Sequence, residues 1–420
     1  MSKPTPSQTV RGTHDLIGDV ARQHSHVLDV AFDVADRFGF SEIKTPIFEF
    51  SQVFSRTLGD ASDIVSKEMY TFTDRGGDLL SLRPEGTAGV IRAFIEHGLK
   101  NQCPLKFIYE GPMFRYERPQ KGRYRQFYQI GAELIGVDNP DADVETIALA
   151  KLILSELGID QKCSLEINSI GDKESRDHYR KALVQYYEKH SGSLSEDSKK
   201  RLTLNPMRIL DSKDRSDIEI NKNAPRLIEH LNSSSLEKFE KIQSRLKALN
   251  IDFKINNQLV RGLDYYCHLV FEFRTTELGS QDAVLSGGRY DGLAEIMGGP
   301  TTPAVGWAAG VERLSMLMTD KPLAHRPVAL IPIGDQAEQY CLNLAQDLRR
   351  QKLNVELAYS GNLSNRMKKA AGRNAYAAII IGDNELNSGE FGFKNLDSGE
   401  QTKVQKGQLL EKLKSSQNRK

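Results

Sequence analysis

The chain has few of the residues from which metal cages and disulfide frameworks are built. It contains only four cysteines, Cys103, Cys163, Cys267 and Cys341, at least 60 positions apart. This spacing excludes CxxC metal and redox motifs and favours reduced thiols in a cytoplasmic protein. The nine histidines show no metal-type spacing. We therefore expect no metal site formed as a cage of protein ligands alone.

Long apolar runs and strong net charge are also missing. No run approaches the ~18 residues of a membrane span, and the first ten residues, MSKPTPSQTV, are polar rather than signal-like. The net charge is +1, so any contact with a nucleic acid must come from local patches. We expect a cytoplasmic protein without membrane association.

The common nucleotide fingerprints are absent. No glycine is followed by lysine, which excludes a P-loop, and no GxG occurs, which excludes the Rossmann fingerprint. The length of 420 residues, with 39% hydrophobic and 27% charged residues, indicates two or three globular domains. A nucleotide bound by this chain must therefore be held by other means.

A basic hairpin over residues 105–136 is the most informative stretch. Two predicted strands flank a loop, and alternation along the second strand puts Gln129 and Glu133 on one face. The loop carries a single acid, Glu117, among its basic residues, which are Arg115, Arg118, Lys121, Arg123 and Arg125. Such a density of guanidinium groups suits phosphates. The alternative is an ordinary hairpin with a solvated basic tip.

Three further phrases place polar residues beside predicted elements. In LRPEGTAG, Glu85 and Thr87 stand at the mouth of a helix, where they either cap it or face a ligand. In LVRGLDYY, Arg261, Asp264, Tyr265 and Tyr266 precede a strand that looks buried, which indicates a ligand or a dense internal network. In PAVGWAAGVERL, small residues lead into a helix with Arg313.

These phrases together resemble the class II aminoacyl-tRNA synthetases. The order of helix, strand and proline up to Pro46 is similar to motif 1, the basic hairpin is similar to motif 2, and GVERL is similar to motif 3. LRPEGTAG and LVRGLDYY are similar to phrases of the histidyl-tRNA synthetase family. The resemblance covers nearly the whole chain.

The resemblance implies an α+β fold. We expect an antiparallel-sheet catalytic domain over residues 1–325 with a helical insertion at about 173–250. Residues 326–420 alternate strands and helices, which predicts a small α/β domain similar to the anticodon-binding domain of this family. Motif 1 implies a homodimer.

The resemblance also implies an activity and its residues. L-Histidine would react with ATP, carrying Mg²⁺, to give histidyl-adenylate and pyrophosphate, and the histidyl group would pass to tRNA(His) with release of AMP. The implied catalytic residues are Arg115 and Arg261. Histidine would be held by Glu85, Thr87, Gln129, Glu133, Arg261, Tyr265 and Tyr266. ATP would be held by Arg115, Arg123 and Arg313, and the tRNA acceptor end by Arg118 and Arg123.

Two alternatives stay open on these grounds. One is a non-catalytic relative, the synthetase-like regulatory subunit of ATP phosphoribosyltransferase, which typically lacks the anticodon-binding domain and several binding residues. The other is a threonyl or prolyl enzyme, for which LVRGLDYY is not expected.

Overall fold

The structure is a computed structural model that describes residues 7–58, 64–120, 122–260, 265–279 and 282–417. Contacts between Cα atoms divide the chain into two compact units, Met1–Pro322 and Leu323–Lys420. Within the described ranges, no helix has the length and apolar composition needed to cross a membrane.

The first unit is organised around a large sheet. Its strands in chain order are β1 (Ser41–Glu42), β2 (Phe48–Phe50), β3 (Thr71–Thr73), β4 (Leu79–Leu82), β5 (Leu105–Phe114), β6 (Gln126–Ile135), β7 (Ser164–Ser169), β8 (Lys254–Ile255), β9 (Cys267–Arg274), β10 (Ala283–Arg289) and β11 (Ala304–Gly310). Eight of them form one sheet in the order β1-β5-β6-β11-β10-β9-β7-β8, and β2-β4-β3 form a small antiparallel sheet. Only the outer pairs of the large sheet, β1 with β5 and β8 with β7, are parallel. The predicted α+β class with an antiparallel sheet is confirmed.

Helices pack on both faces of the large sheet. In chain order the helices of this unit are α1 (Asp19–Arg37), α2 (Ser51–Leu58), α3 (Thr87–Glu96), α4 (Pro140–Glu156), α5 (Lys173–Lys189), α6 (Glu196–Leu204), α7 (Arg215–Asn221), α8 (Ser233–Ala248), α9 (Leu293–Ile296) and α10 (Val311–Leu317). One buried cluster joins the sheet to α1, α4 and α8, and a second joins it to α3 and α5. Helices α5 to α8 occupy the segment for which the sequence predicts a helical insertion.

Strand β6 shows why the site faces one side of the sheet. Its side chains at Ile130, Ala132 and Leu134 belong to the core beneath α1 and α4. Alternation along the strand therefore turns Gln129 and Glu133 to the opposite face. The β5–β6 hairpin predicted from the sequence is present, with Leu105 opposite Ile135 and Phe114 opposite Gln126 at its two ends.

The second unit has its own five-stranded sheet. Its elements are β12 (Val328–Ile333), α11 (Asp335–Arg350), β13 (Val355–Leu357), α12 (Leu363–Gly372), β14 (Ala377–Gly382), α13 (Asp383–Ser388), β15 (Glu390–Asn395), β16 (Gln401–Gln405) and α14 (Leu409–Gln417). The strand order is β13-β12-β14-β15-β16. Strands β12, β13 and β14 are parallel, as the alternation of strands and helices predicts, whereas β15 and β16 add an antiparallel pair that the sequence pattern did not reveal. These two strands alternate apolar and polar residues, so they lack the continuous apolar run by which the parallel strands were recognised.

Candidate active site

A cavity opens on the face of the sheet that carries Gln129. It encloses about 900 Å³ of empty space, part of it open to solvent, which is within the usual size range of ligand pockets. It is lined by residues from the start of α3, the loop between β5 and β6, the segment before β9, and from β6, β10, β11 and α10. The lining residues predicted from the sequence are Glu85, Thr87, Arg115, Arg123, Gln129, Tyr265, Tyr266 and Arg313.

Three arginines from separate parts of the chain meet at this cavity. Arg115 follows β5, Arg123 belongs to the basic loop, and Arg313 lies in the first turn of α10. Arg313 donates from Nε to the Gly122 carbonyl at 3.1 Å, which ties α10 to the basic loop. Burial lowers the pKa of Arg313, and the positive charges of Arg115 and Arg123 lower it further. Mutual repulsion of this kind makes the cavity favourable for a multiply charged anion.

The backbone and an aromatic ring fix the position of Arg115. Its Nε donates to the Pro84 carbonyl at 2.9 Å, and its guanidinium carbon lies 5.2 Å from the centre of the Phe127 ring. Such contacts restrict the rotamers of a long side chain before any ligand arrives. Arg115 is therefore preorganised at the end of its strand.

Two acids in the cavity were not predicted as site residues. Glu117 forms an ion pair with Arg123. Glu312 accepts hydrogen bonds from the Tyr128 backbone N–H at 3.0 and 3.1 Å, and burial raises the pKa of its carboxyl to about 7. No local sequence pattern points to Glu312, because its partner lies 184 positions away.

A buried hydrogen-bond network lies directly behind the wall of the cavity. The Glu85 carboxylate accepts from the backbone N–H groups of Thr87 and Ala88 at 2.6 and 2.9 Å, so it caps α3 and lines the cavity at once. Thr87 in turn donates from Oγ1 to the Glu133 carboxylate at 2.7 Å, and Tyr290 donates its hydroxyl to the same carboxylate. Burial raises the pKa of Glu133 to about 8. The network links α3 to β6 and to the turn after β10.

The floor beside this network is aromatic and closely packed. The rings of Tyr265 and Tyr266 lie 4.6 Å apart, and Tyr290 stands edge-on to both. A Cβ atom on Gly288 would come within 2.9 Å of the Tyr266 ring. Trp307 is buried and donates its ring N–H to the Thr146 carbonyl at 3.1 Å. Gly287 and Gly288 therefore allow close backbone approach within strand β10.

The remaining predicted residues take other positions. Arg118 is exposed and does not line the cavity, and Glu133 is fully buried behind Thr87 without lining it. Arg261 and Asp264, together with Lys121 of the basic loop, lie outside the described residues. The structure thus brings the anion-binding and tyrosine parts of the prediction together at one cavity.

Comparison with protein families agrees with this geometry. The family model described as histidyl-tRNA synthetase matches residues 12–314. A second model, described as an anticodon binding domain, matches residues 327–416. The two matches cover both units of the chain.

Individual relatives agree over almost the full length. The histidine–tRNA ligase of Rhodospirillum rubrum is 58% identical over 94% of this chain and 96% of its own. That of Gluconobacter oxydans is 50% identical, with the same coverage. The crystal structure of apo S. aureus histidyl-tRNA synthetase superposes with a TM-score of 0.82 at 33% identity, covering 97% of this chain and all of that one. From its sequence, its fold and the composition of its cavity, the chain belongs to the histidyl-tRNA synthetase family.

Proposed function

We propose that this chain uses the cavity to join L-histidine to ATP, forming histidyl-adenylate and pyrophosphate, and then transfers the histidyl group to tRNA(His) with release of AMP. Histidine–tRNA ligases at 58% and 50% identity support this activity over a regulatory role. The observation that carries the proposal is the convergence of Arg115, Arg123 and Arg313 on one cavity.

The first step requires positive charge around a phosphate. The histidine carboxylate attacks the α-phosphorus in line, and pyrophosphate leaves from the opposite side. Because nucleophile and phosphate are both negative, preplaced guanidinium groups lower the barrier by positioning and electrostatics. We assign Arg115 to the α-phosphate and Arg313 and Arg123 to the outer phosphates. From the family resemblance, Arg261 takes the α-phosphate and the substrate carboxylate.

Histidine selection requires a donor and an acceptor for the imidazole ring. We assign the ammonium group of the substrate to Glu85, Thr87 and Gln129, which all line the cavity. The ring would lie between the tyrosine pair and Glu133. Another side chain in that place leaves buried polar atoms unpaired, which a site of this kind penalises by a factor of about 10⁴ or more.

The carboxylates of the cavity fit a magnesium ion that arrives with ATP. Mg²⁺ prefers phosphate oxygens completed by one or two carboxylates. Glu117 is engaged by Arg123, whereas both oxygens of Glu312 share a single backbone N–H, which leaves lone pairs for a cation. We assign the protein side of the ion to Glu312. When bound, Mg²⁺ neutralises charge on the phosphates.

Transfer to tRNA needs contacts outside the cavity. Arg118 is exposed on the basic loop next to the ATP residues, which suits the backbone of an acceptor end. In the second unit, Lys368, Lys369 and Arg373 are exposed on or next to α12 and suit phosphates of the anticodon arm. Arg366 does not, because it is buried and bonded to Glu338 and to backbone carbonyls. The cytoplasmic location expected from the sequence remains a proposal consistent with this function.

A homodimer is supported by the small sheet of the first unit. Paired residues of an antiparallel sheet share a face. Phe48 pairs with Leu82, and Phe50 and Phe72 both pair with Leu80, so one face of this small sheet is apolar. Phe48, Phe50 and Phe72 are 55%, 50% and 44% exposed. We propose that a second copy of the chain covers this face, which follows the motif 1 segment.

A screen of all twenty amino acids for exchange of labelled pyrophosphate into ATP tests the activity. Histidine should be the one amino acid that supports exchange at substrate concentrations near saturation. Absence of exchange with histidine, in protein that binds ATP, would favour the regulatory alternative. Exchange with threonine or proline instead would reject the assigned selectivity.

A further inference from the structure

A second cluster of ligand-type side chains lies next to the tyrosine floor. One donor atom each of Cys267, His268 and Asp291 lie within 4.8 Å of one another. Cys267 directly follows Tyr266, and Asp291 directly follows Tyr290, which donates to Glu133. The Asp291 backbone N–H also donates to the Cys267 sulfur at 3.4 Å. The cluster is thus built on the same two strands as the floor but uses side chains to which the proposed reaction assigns no role.

An irregularity in strand β9 creates the cluster. Gly288 pairs with Val270, yet the next residue, Arg289, pairs with Cys267, so β9 has two extra residues at this point. His268 is one of them and adopts a left-handed backbone with φ of 49°. Few residues other than glycine adopt that backbone conformation. Bulges of this kind redirect side chains next to functional sites. Here the bulge brings His268 to the same side as Cys267 and Asp291.

The polar atoms of the cluster have lone pairs that no hydrogen bond among the described residues uses. Nδ1 of His268 is buried and has no hydrogen-bond partner among the described residues. The hydrogen bonds that the Asp291 carboxylate accepts there, from Arg289 and from the Ala304 backbone, both end on Oδ1. A buried ring nitrogen without a partner is costly unless something binds it.

The local charge permits a cation. Arg289 donates to Asp291 itself, and it also forms two hydrogen bonds of 3.0 and 2.6 Å with the buried Asp143 carboxylate. Its charge is therefore largely balanced before Asp291 is counted. A thiolate and a carboxylate together then match the two charges of a divalent ion.

We propose that Cys267, His268 and Asp291 bind a divalent transition-metal ion, with Zn²⁺ as the best fit. One sulfur, one imidazole nitrogen and one carboxylate oxygen are donors that zinc accepts, and a water completes a tetrahedral set of four. The ion ties the start of β9 to the turn after β10 and so braces the tyrosine floor. The sequence did not predict this site. Cys267 and His268 are adjacent and Asp291 follows only after strand β10, and this order matches no metal-binding spacing motif.

Titration of the full chain with Co²⁺ tests the site directly. Co²⁺ takes the place of zinc and gives visible bands in a tetrahedral site, with a thiolate charge-transfer band in the near ultraviolet only where a cysteine binds it. The wild-type protein should bind one equivalent with both features, and added Zn²⁺ should remove them. Cys267→Ser should lose the charge-transfer band and bind at least about tenfold more weakly. The matched control is Cys163→Ser, which removes a half-buried thiol outside the cluster and should keep both features.

Absence of stoichiometric binding in the wild type, or an unchanged charge-transfer band in Cys267→Ser, overturns the proposal. X-ray absorption of the zinc-loaded wild-type protein gives a second test that needs no variant. One sulfur with nitrogen or oxygen neighbours supports the site, and a shell without sulfur rejects it. Because these readouts measure only the metal, their failure leaves the proposed aminoacylation untouched.

Discussion

The hydroxyl of Thr87 donates to the carboxylate of Glu133 at 2.7 Å, and this contact joins the first turn of α3 to the C-terminal half of β6. Glu133 is fully buried, and its other oxygen accepts from Tyr290. Gly306 pairs with Glu133 on the neighbouring strand β11, and a Cβ atom there would lie within 1.7 Å of the carboxylate. The acid is therefore held by three separate elements before any substrate binds, which is the arrangement expected of a specificity residue.

Replacing Arg115 by alanine should remove most of the first reaction step. We expect pyrophosphate exchange to fall by about 10²–10³, because one preorganised charge at the reacting phosphate is lost. Arg118→Ala is the matched control, since this arginine belongs to the same loop region but is exposed outside the cavity. It should spare exchange and weaken aminoacylation of tRNA. Equal exchange in the two variants would contradict the roles assigned to them.

Glu133→Gln should affect histidine more than ATP. The amide keeps the size of the side chain but exchanges one oxygen for an NH₂ donor, so a buried hydrogen bond among Thr87, Glu133 and Tyr290 beside the imidazole is left unsatisfied, which costs about 1–3 kcal/mol. We expect kcat/KM for histidine to fall by at least about tenfold, while the KM for ATP changes little. Steady-state exchange kinetics, with histidine and ATP varied in turn, measure the effect on each substrate separately. Similar losses for both substrates would contradict the assignment of Glu133 to the imidazole ring.

The same residue should make stability depend on pH. Burial raises the pKa of Glu133 from 4.5 to about 8, so between these values the folded chain keeps a proton that the unfolded chain has released. The free energy of unfolding should therefore fall as pH rises through this window. In Glu133→Gln the fall should be smaller. Glu312, whose pKa is raised to about 7, contributes in the same direction to both proteins and cancels in the difference. Denaturant unfolding at both ends of the window measures the slopes, and identical slopes would show that Glu133 is ionised throughout.

A charge on the small sheet should dissociate the proposed dimer. Phe50 is half exposed in the isolated chain, and Phe50→Glu would bury an unpaired carboxylate against the second copy. Sedimentation should then report a monomer. Leu204→Glu changes a side chain that is 64% exposed on α6, away from this sheet, and should leave the mass unchanged. A monomeric wild-type protein, or a dimeric Phe50→Glu variant, would reject this face as the interface.

Removal of residues 326–420 should separate the two steps. The cavity is lined entirely by residues before this segment, so adenylate formation should persist. Charging of tRNA should weaken, because the unit that matches an anticodon binding domain is lost. Exchange and charging assays on the same preparation give the comparison. Unaltered charging would argue against a role of this unit in binding tRNA.

Much of the fold followed from local patterns. The apolar period of α1, the alternation of β6 and the continuous apolar runs of β12 and β14 each reflect the face that a segment buries, and burial leaves its period in the sequence. Strands β15 and β16 were missed because their alternation is short and half polar. Close packing against Trp307 and Tyr266 explains the glycines at positions 287 and 288 of strand β10.

Sequence by itself determined the family, the order of the motifs and the residue types that gather around a triphosphate. Each motif is a contiguous stretch, so its functional residues can be identified without knowledge of the fold. Only the tertiary structure decided which side chains touch. The bond of Glu312 to the backbone of Tyr128, the burial of Glu133 behind Thr87, and the meeting of Cys267 and His268 with Asp291 all join segments that are distant along the chain. Such contacts depend on strand register and on how closely neighbouring backbones pack, and these are properties of the folded sheet rather than of any one segment.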